Sequence, residues 1–223
     1  MKTSPPSLKS SLPASSCEPS SALYPRQISA EWTLATCTTQ GAPFLIRPLR
    51  TDDRDREIAF IESLSEDSRY FRMLSPEKLL PSYVVNQLMD TDGDKRMAFV
   101  ATTGAGCRER FIGVVRYGAD ADALDAELGI AVADDWQRQG IATKLISHLR
   151  QYAQSRGIER LTGMVLAKNG RMLGLAKQLR FRTNYGKDGL VHIELDVVPQ
   201  PPHVSSQKSL HKCLTPDFSC DVS

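Results

Sequence analysis

Between an alternating run from Ala126 to Ala133 and an amphipathic run from about Arg138 to Arg156 lies the stretch Asp134-Asp135-Trp136-Gln137-Arg138-Gln139-Gly140-Ile141-Ala142-Thr143-Lys144. The first run has the period of a strand and the second that of a helix, so the stretch between them is a strand-to-helix turn. Such a turn aims the unpaired amides of the helix's first turn beyond the strand end, where the helix dipole adds partial positive charge. It is a site for an anion. Gly140 and the small Ala142 let a phosphate approach the backbone closely. Neither a Walker loop nor a three-glycine dinucleotide fingerprint is present; the pattern is Gln137-x-x-Gly140-x-Ala142.

Length and composition then narrow the class. The 223 residues suit one domain with appendages, 41% apolar content supports a packed core, and a net charge of +2 is too small for a general nucleic-acid binder. The five cysteines, Cys17, Cys37, Cys107, Cys213 and Cys220, are odd in number and include no Cys-x-x-Cys. That argues against a disulfide framework and against a metal site, and implies a reducing compartment. No apolar run approaches the roughly 20 residues of a membrane helix or forms a secretory signal, so a cytoplasmic protein without membrane attachment is expected.

Residues 1–42 are rich in Ser and Pro and are expected to be largely disordered, as are residues 199–223; the folded unit is expected over 43–198. Within the first segment, Glu31 to Ala35 reads either as a strand or as a loose cover. Phe44 to Arg50 reads as the first strand of the unit. Thr51-Asp52-Asp53 then reads as a helix N-cap region, followed by a helix burying Ile58, Ile61 and Leu64. A second helix opens at Ser65, and a third at Pro76-Glu77-Lys78 carries Leu80, Val84, Val85, Leu88 and Met89. Arg96–Ala101 and Arg110–Tyr117 form a hairpin. Leu124, Ala126, Leu128, Ile130 and Val132 alternate onto one face of the next strand, leaving Asp125, Glu127, Gly129 and Ala131 on the other. After the helix come a strand at Leu161–Leu166, a helix beginning near Asn169, and strands at Phe181–Asn184 and Leu190–Leu195. The expected class is mixed α/β, with a mostly antiparallel sheet of six or seven strands, flanking helices and one parallel crossover.

The loop hexapeptide in this element order resembles the Q/R-x-x-G-x-G/A signature of the GNAT acyltransferase superfamily. Ile46-Arg47-Pro48-Leu49-Arg50, Leu64 to Arg72, Ala126-Glu127 and Asn169-Gly170-Arg171-Met172-Leu173 are similar to the acetyltransferase domain of bacterial Pat-type protein-lysine acetyltransferases. The resemblance implies that the fourth and fifth strands of the unit splay apart around the arm of acetyl-CoA. It further implies that Ile130, Ala131 and Val132 bind that arm, that Gln137, Arg138, Gln139, Gly140, Ile141, Ala142 and Thr143 hold the pyrophosphate, and that Asn169 contacts the cofactor. Asn169 reads equally well as a helix N-cap. Glu127 matches the glutamate assigned as general base; as a residue on its own it also reads as a strand-surface carboxylate in a salt bridge. The implied acceptor is a primary amine, a protein lysine or a small amine, and no metal is required. One departure stands out: the tyrosine that commonly protonates the leaving thiolate is replaced by Ala176, which leaves the general acid unassigned. With that departure and the long tails, a non-catalytic acyl-CoA-binding sensor is the alternative. Tyr185 reads as packing, and Arg69-Tyr70-Phe71-Arg72 reads either as lining for the acceptor cleft or as a solvated helix face.

Overall fold

The computed structural model describes residues 31–73 and 80–197. An eight-stranded sheet runs through it in the order β1-β2-β3-β4-β5-β6-β8-β7. The strands are β1 (Leu34–Cys37), β2 (Pro43–Pro48), β3 (Arg96–Thr103), β4 (Arg110–Gly118), β5 (Asp125–Val132), β6 (Arg160–Leu166), β7 (Arg182–Tyr185) and β8 (Leu190–Asp196). Five helices flank them: α1 (Arg54–Ser63), α2 (Glu66–Met73), α3 (Ser82–Met89), α4 (Ile141–Ser155) and α5 (Gly170–Gln178). Every neighbouring pair is antiparallel except β5 and β6. The eighth strand beyond the expected six or seven is β1. It precedes Pro43 and pairs with β2 from Leu34 opposite Ile46 to Cys37 opposite Pro43.

Strand alternation sends side chains to two cores. Met97, Phe99 and Ala101 of β3 pack with Ile141, Leu145, Leu149, Tyr152 and Ala153 of α4, while Ala98 and Val100 pack with Phe60, Ile61 and Leu88 on the α1 and α3 side. Each fully buried aliphatic chain contributes about 1.5–3 kcal/mol relative to exposure. The β3–β4 register slips at Ala101/Thr102, where Gly113 and then Phe111 are the successive partners. This bulge turns Ile112 toward the α4 core, and a Cβ at Gly113 would stand 3.0 Å from Leu145 Cδ1. Gly113 thus lets α4 lie close on the sheet.

Several local expectations are revised. Ile61 and Leu64 are buried as expected, but Ile58 is only half-buried and Glu57 goes inward beside Phe60 and Ile61, its carboxylate accepting from Arg116 Nη2 at 2.5 Å. Asp53 makes no side-chain cap for α1; its carboxylate is turned to the buried Arg47. Leu124 is exposed just before β5 begins, and Tyr185 is 67% exposed instead of packed. The expected start of α3 at Pro76-Glu77-Lys78 lies outside the described residues, as do the 199–223 tail and most of the Ser/Pro-rich segment.

The ambiguous stretch near Glu31 does both things proposed for it. Trp32 covers the α4 core edge-on to Tyr152 and His148, and Leu34 to Cys37 then form β1. His148 Nε2 meets the Trp32 carbonyl oxygen at 3.1 Å, and a carbonyl only accepts, so the ring proton sits on Nε2. Burial pushes the His148 pKa below its ordinary value, and the Trp32 bond opposes this only in part. A base with a depressed folded pKa binds fewer protons folded than unfolded. Its stabilisation is therefore complete above the unfolded pKa of about 6.5 and declines as pH falls below it. Thermal melts should accordingly show a lower midpoint at pH 5.5 than at pH 7.5, and His148→Phe should remove most of that difference.

Candidate active site

β5 and β6 pair over only three positions, Asp125 with Arg160, Ala126 with Leu161 and Glu127 with Thr162. Beyond Glu127, β5 continues to Val132 and β6 to Leu166 without pairing, so the parallel strands part. A cleft of about 600 Å³ opens in the gap, walled by β5, the turn into α4, β6 and the start of α5. Glu127, Ile130, Ala131, Val132, Gln137, Arg138, Gly140, Ile141, Ala142, Thr143 and Asn169 all lie on its lining. Gln139 does not. Its carbonyl accepts from Thr39 N at 3.0 Å and its side-chain Nε2 donates to Asp135 O at 2.8 Å, so it braces the loop from behind.

The turn into α4 is built on two left-handed residues, Arg138 at φ 58° and Gly140 at φ 81°. Lys144 N donates to Gly140 O as the first bond of the helix. The amides of Ile141, Ala142 and Thr143 therefore have no partner inside the helix and lie on the cleft wall. Gln137 does not spend its side chain on the cleft. Its Nε2 donates to Val132 O and Ser68 Oγ, both at 3.1 Å, and its Oε1 accepts from Arg171 Nη1 at 2.7 Å. Asp134 completes this latch by accepting from Ser65 N, Ser65 Oγ and Ser68 Oγ at 2.7 to 2.8 Å, which ties α2 to the loop. Those bonds hold the Asp134 carboxyl below its ordinary range although its partial burial pushes the other way. Asn169 caps α5 by accepting from Met172 N at 3.1 Å, and it also faces the cleft.

Sequence reasoning missed Thr39, which lies on the β1–β2 connection and lines the cleft. Its Cγ2 would stand 3.0 Å from a Cβ at Gly140. No local pattern points to it, since its place depends on β1 joining the sheet. The crowding makes Gly140 doubly intolerant, because a side chain there meets Thr39 and also costs about 1–2 kcal/mol for its left-handed backbone. On the expectation from the resemblance that this turn holds coenzyme A, Gly140→Val should weaken its binding about tenfold or more by calorimetry.

A second cleft of about 730 Å³ opens on the other side of β5, reaching to α3 and the start of β3. Arg72, Glu127, Leu128 and Gly129 line both. Glu127 is exposed there, on the sheet face it shares with Gly129. Arg116, directly across from Gly129 on β4, is held from below by Glu57 at 2.5 Å and by Leu88 O at 2.6 Å. Phe71 lines the first cleft, and Lys168 Nζ stands 4.5 Å over the Tyr70 ring. The α2 segment is therefore a wall of the site and not a solvated face. Ala176 is buried and Tyr185 lies on neither lining, so neither supplies a phenol. Among the described residues no group of three or more His, Cys, Asp or Glu is placed to hold a metal, and no helix is long and apolar enough to cross a membrane.

Within an otherwise antiparallel sheet, one parallel pair parts, and its first strand leads into a helix whose first amides have no partner inside the helix. Residues 58–181 match the model of the Acetyltransferase (GNAT) family, and the chain belongs to that family. It is 37% identical over 141 residues to an acetyltransferase of Pseudomonas aeruginosa, covering 63% of this chain and 76% of that one. Among solved structures it is similar to the GNAT domain of S. lividans PAT, at 30% identity and a TM-score of 0.70, covering 78% of this chain and 99% of that one. A cAMP-binding acyltransferase from Mycobacterium smegmatis shares the fold at 24% identity and a TM-score of 0.54, over 78% of this chain and 50% of that protein.

Proposed function

We propose that the chain is an N-acetyltransferase that moves an acetyl group from acetyl-CoA to a primary amine by direct attack. The observation that carries this reading is the meeting of two clefts at Glu127. One has the unpaired amides of Ile141 to Thr143 and an unpaired strand edge, and the other is open to a second reactant. In this reading the pyrophosphate lies against the α4 N-terminus, and the arm runs along β5 as an added strand beside Ile130, Ala131 and Val132. Part of that edge is already used, because the Val132 carbonyl accepts from Gln137.

An acceptor lysine with a pKa of about 10.4 is mostly protonated at neutral pH and must lose a proton before it attacks. Glu127, directly or through a water, takes it. The nitrogen then attacks the thioester carbon, a tetrahedral oxyanion forms, and the C–S bond breaks to give the amide and a thiolate. The similarity to the GNAT domain of S. lividans PAT supports a protein lysine over a small amine. The proposed catalytic unit is residues 43–198 together with β1, and the proposed compartment is the cytoplasm.

Free-thiol release from acetyl-CoA, followed with a panel of lysine peptides, acetylatable proteins and small amines, tests the reading. Saturable release that depends on the acceptor is expected. Tight coenzyme A binding with no release on any amine would overturn it in favour of an acyl-CoA sensor.

A further inference from the structure

Resting on the acyl-transfer reading, we propose that Arg72 is a catalytic residue of this site, its guanidinium stabilising the negative charge that develops on the thioester oxygen and sulfur. Reactants occupying the two clefts meet only where the clefts share a wall, and Arg72 is part of that wall along with Glu127, Leu128 and Gly129. A Cβ at Gly129 would stand 2.9 Å from Arg72 Nη2, 3.1 Å from Cζ and 3.2 Å from Nη1, so the guanidinium lies against the bare backbone of β5 at the junction. Gly129 is what admits it.

Its charge is unspent. Among the described residues no hydrogen bond or ion pair engages its donors, while its neighbour Arg116 turns its two terminal nitrogens to the Leu88 carbonyl and to Glu57. Burial, and after it the repulsion of Arg116, push the Arg72 pKa down to about 10, with Glu57 and Glu127 opposing. It remains a cation at neutral pH, half-buried against β5 where the two clefts meet, and an incoming anion there would be attracted to it.

The electron flow needs nothing further. The amine lone pair forms the C–N bond as the C=O π pair moves to oxygen, and Glu127 receives the amine proton. The oxygen pair then returns as the C–S pair leaves on sulfur. Arg72 exchanges no proton at any step; it lowers the cost of the charge on oxygen and then on sulfur. This supplies charge stabilisation at a site where Ala176 offers no phenol.

The test reads the ionisation of bound coenzyme A by ultraviolet absorbance of its thiolate, in wild type, Arg72→Met, Arg72→Lys and Gly129→Ala, with melts to verify folding. In wild type the bound thiol should ionise about one to three units below free coenzyme A, as expected for a cation within about 6 Å. Arg72→Met should abolish that depression and cut kcat by about 10²–10³ with little change in acceptor KM. Arg72→Lys should keep part of it, and Gly129→Ala, which displaces the guanidinium while leaving its charge, should lose part of it. Saturable coenzyme A binding with the same thiol pKa in wild type, Arg72→Met and Gly129→Ala overturns the role of Arg72 and leaves acyl transfer standing. No saturable coenzyme A binding in wild type overturns both.

Discussion

Glu127→Gln is expected to lower kcat by about 10²–10⁴-fold, the usual worth of a positioned general base, while the Kd for coenzyme A changes by less than about twofold. The amide keeps the shape of the side chain but cannot take the acceptor's proton. Glu127 is exposed and no described hydrogen bond or ion pair engages it, so its replacement breaks no bond and removes only a favourable charge near Arg72. The melting temperature should therefore stay nearly constant, since a surface change of this kind costs within about 0.5 kcal/mol. Calorimetry with coenzyme A, thiol release at saturating acceptor and a thermal melt separate the three quantities. Full turnover in the variant would move the base elsewhere. Raising pH should partly rescue the variant, because a larger fraction of acceptor then arrives already neutral.

The largest expected loss of stability comes from Asp53→Ala. Arg47 is 1% exposed and Asp53 not at all, and the two are joined by Nη1–Oδ2 and Nη2–Oδ1 bonds of 2.6 and 2.9 Å. Asp53 also accepts from Arg50 N at 2.8 Å and Arg56 Nη1 at 3.1 Å, so one carboxylate joins the end of β2 to the start of α1. Removing it leaves a buried guanidinium with Glu109 as its remaining carboxylate, at 2.9 and 3.0 Å. That second partner places the cost near the lower end of the range for broken buried pairs, at about 3 kcal/mol, or roughly 6–12 °C of melting temperature. Urea unfolding measures it. The double variant Arg47→Met with Asp53→Ala should recover part of the loss, because the stranded charge goes as well. An additive double variant would mean that the pair is not what Asp53 stabilises.

The same cluster sets an acid limit. Burial alone would raise the Glu109 carboxyl, but its bonds to Arg47 outweigh that and hold it below its ordinary range. A depressed carboxylate contributes stability above its unfolded pKa of about 4.3 and loses it as pH falls through the lower folded value. The sign matches that of His148, so both groups weaken the fold as pH drops, His148 first.

The loop from Asp134 to Lys144 was legible because its information is local. Strand alternation, a glycine that tolerates a left-handed backbone and a periodic helix all lie within a few turns of chain, as did the alternation that puts Glu127 and Gly129 on one face of β5. The sequence does not decide which way Arg72 faces, since a cation at the end of a short helix looks the same in sequence whether it meets water or a cleft. Thr39 and the bracing role of Gln139 were not legible, because they exist only once β1 joins the sheet and its following turn reaches the loop. Nor could the pattern tell that Gln137 would spend its side chain on Val132, Ser68 and Arg171.

What the amino-acid order determined by itself was the succession of strands and helices, the glycine turn into α4 and the carboxylate on the strand before it, since each follows from periodicity and backbone preference over short spans. Tertiary structure alone decided where β5 and β6 part, which residues share the wall between two clefts, and that Arg47 and Arg72 are drawn inward. These depend on contacts between segments 50 or more residues apart, such as Arg47 with Glu109 and Arg72 with Gly129, and no local preference encodes which distant partner a charge will meet.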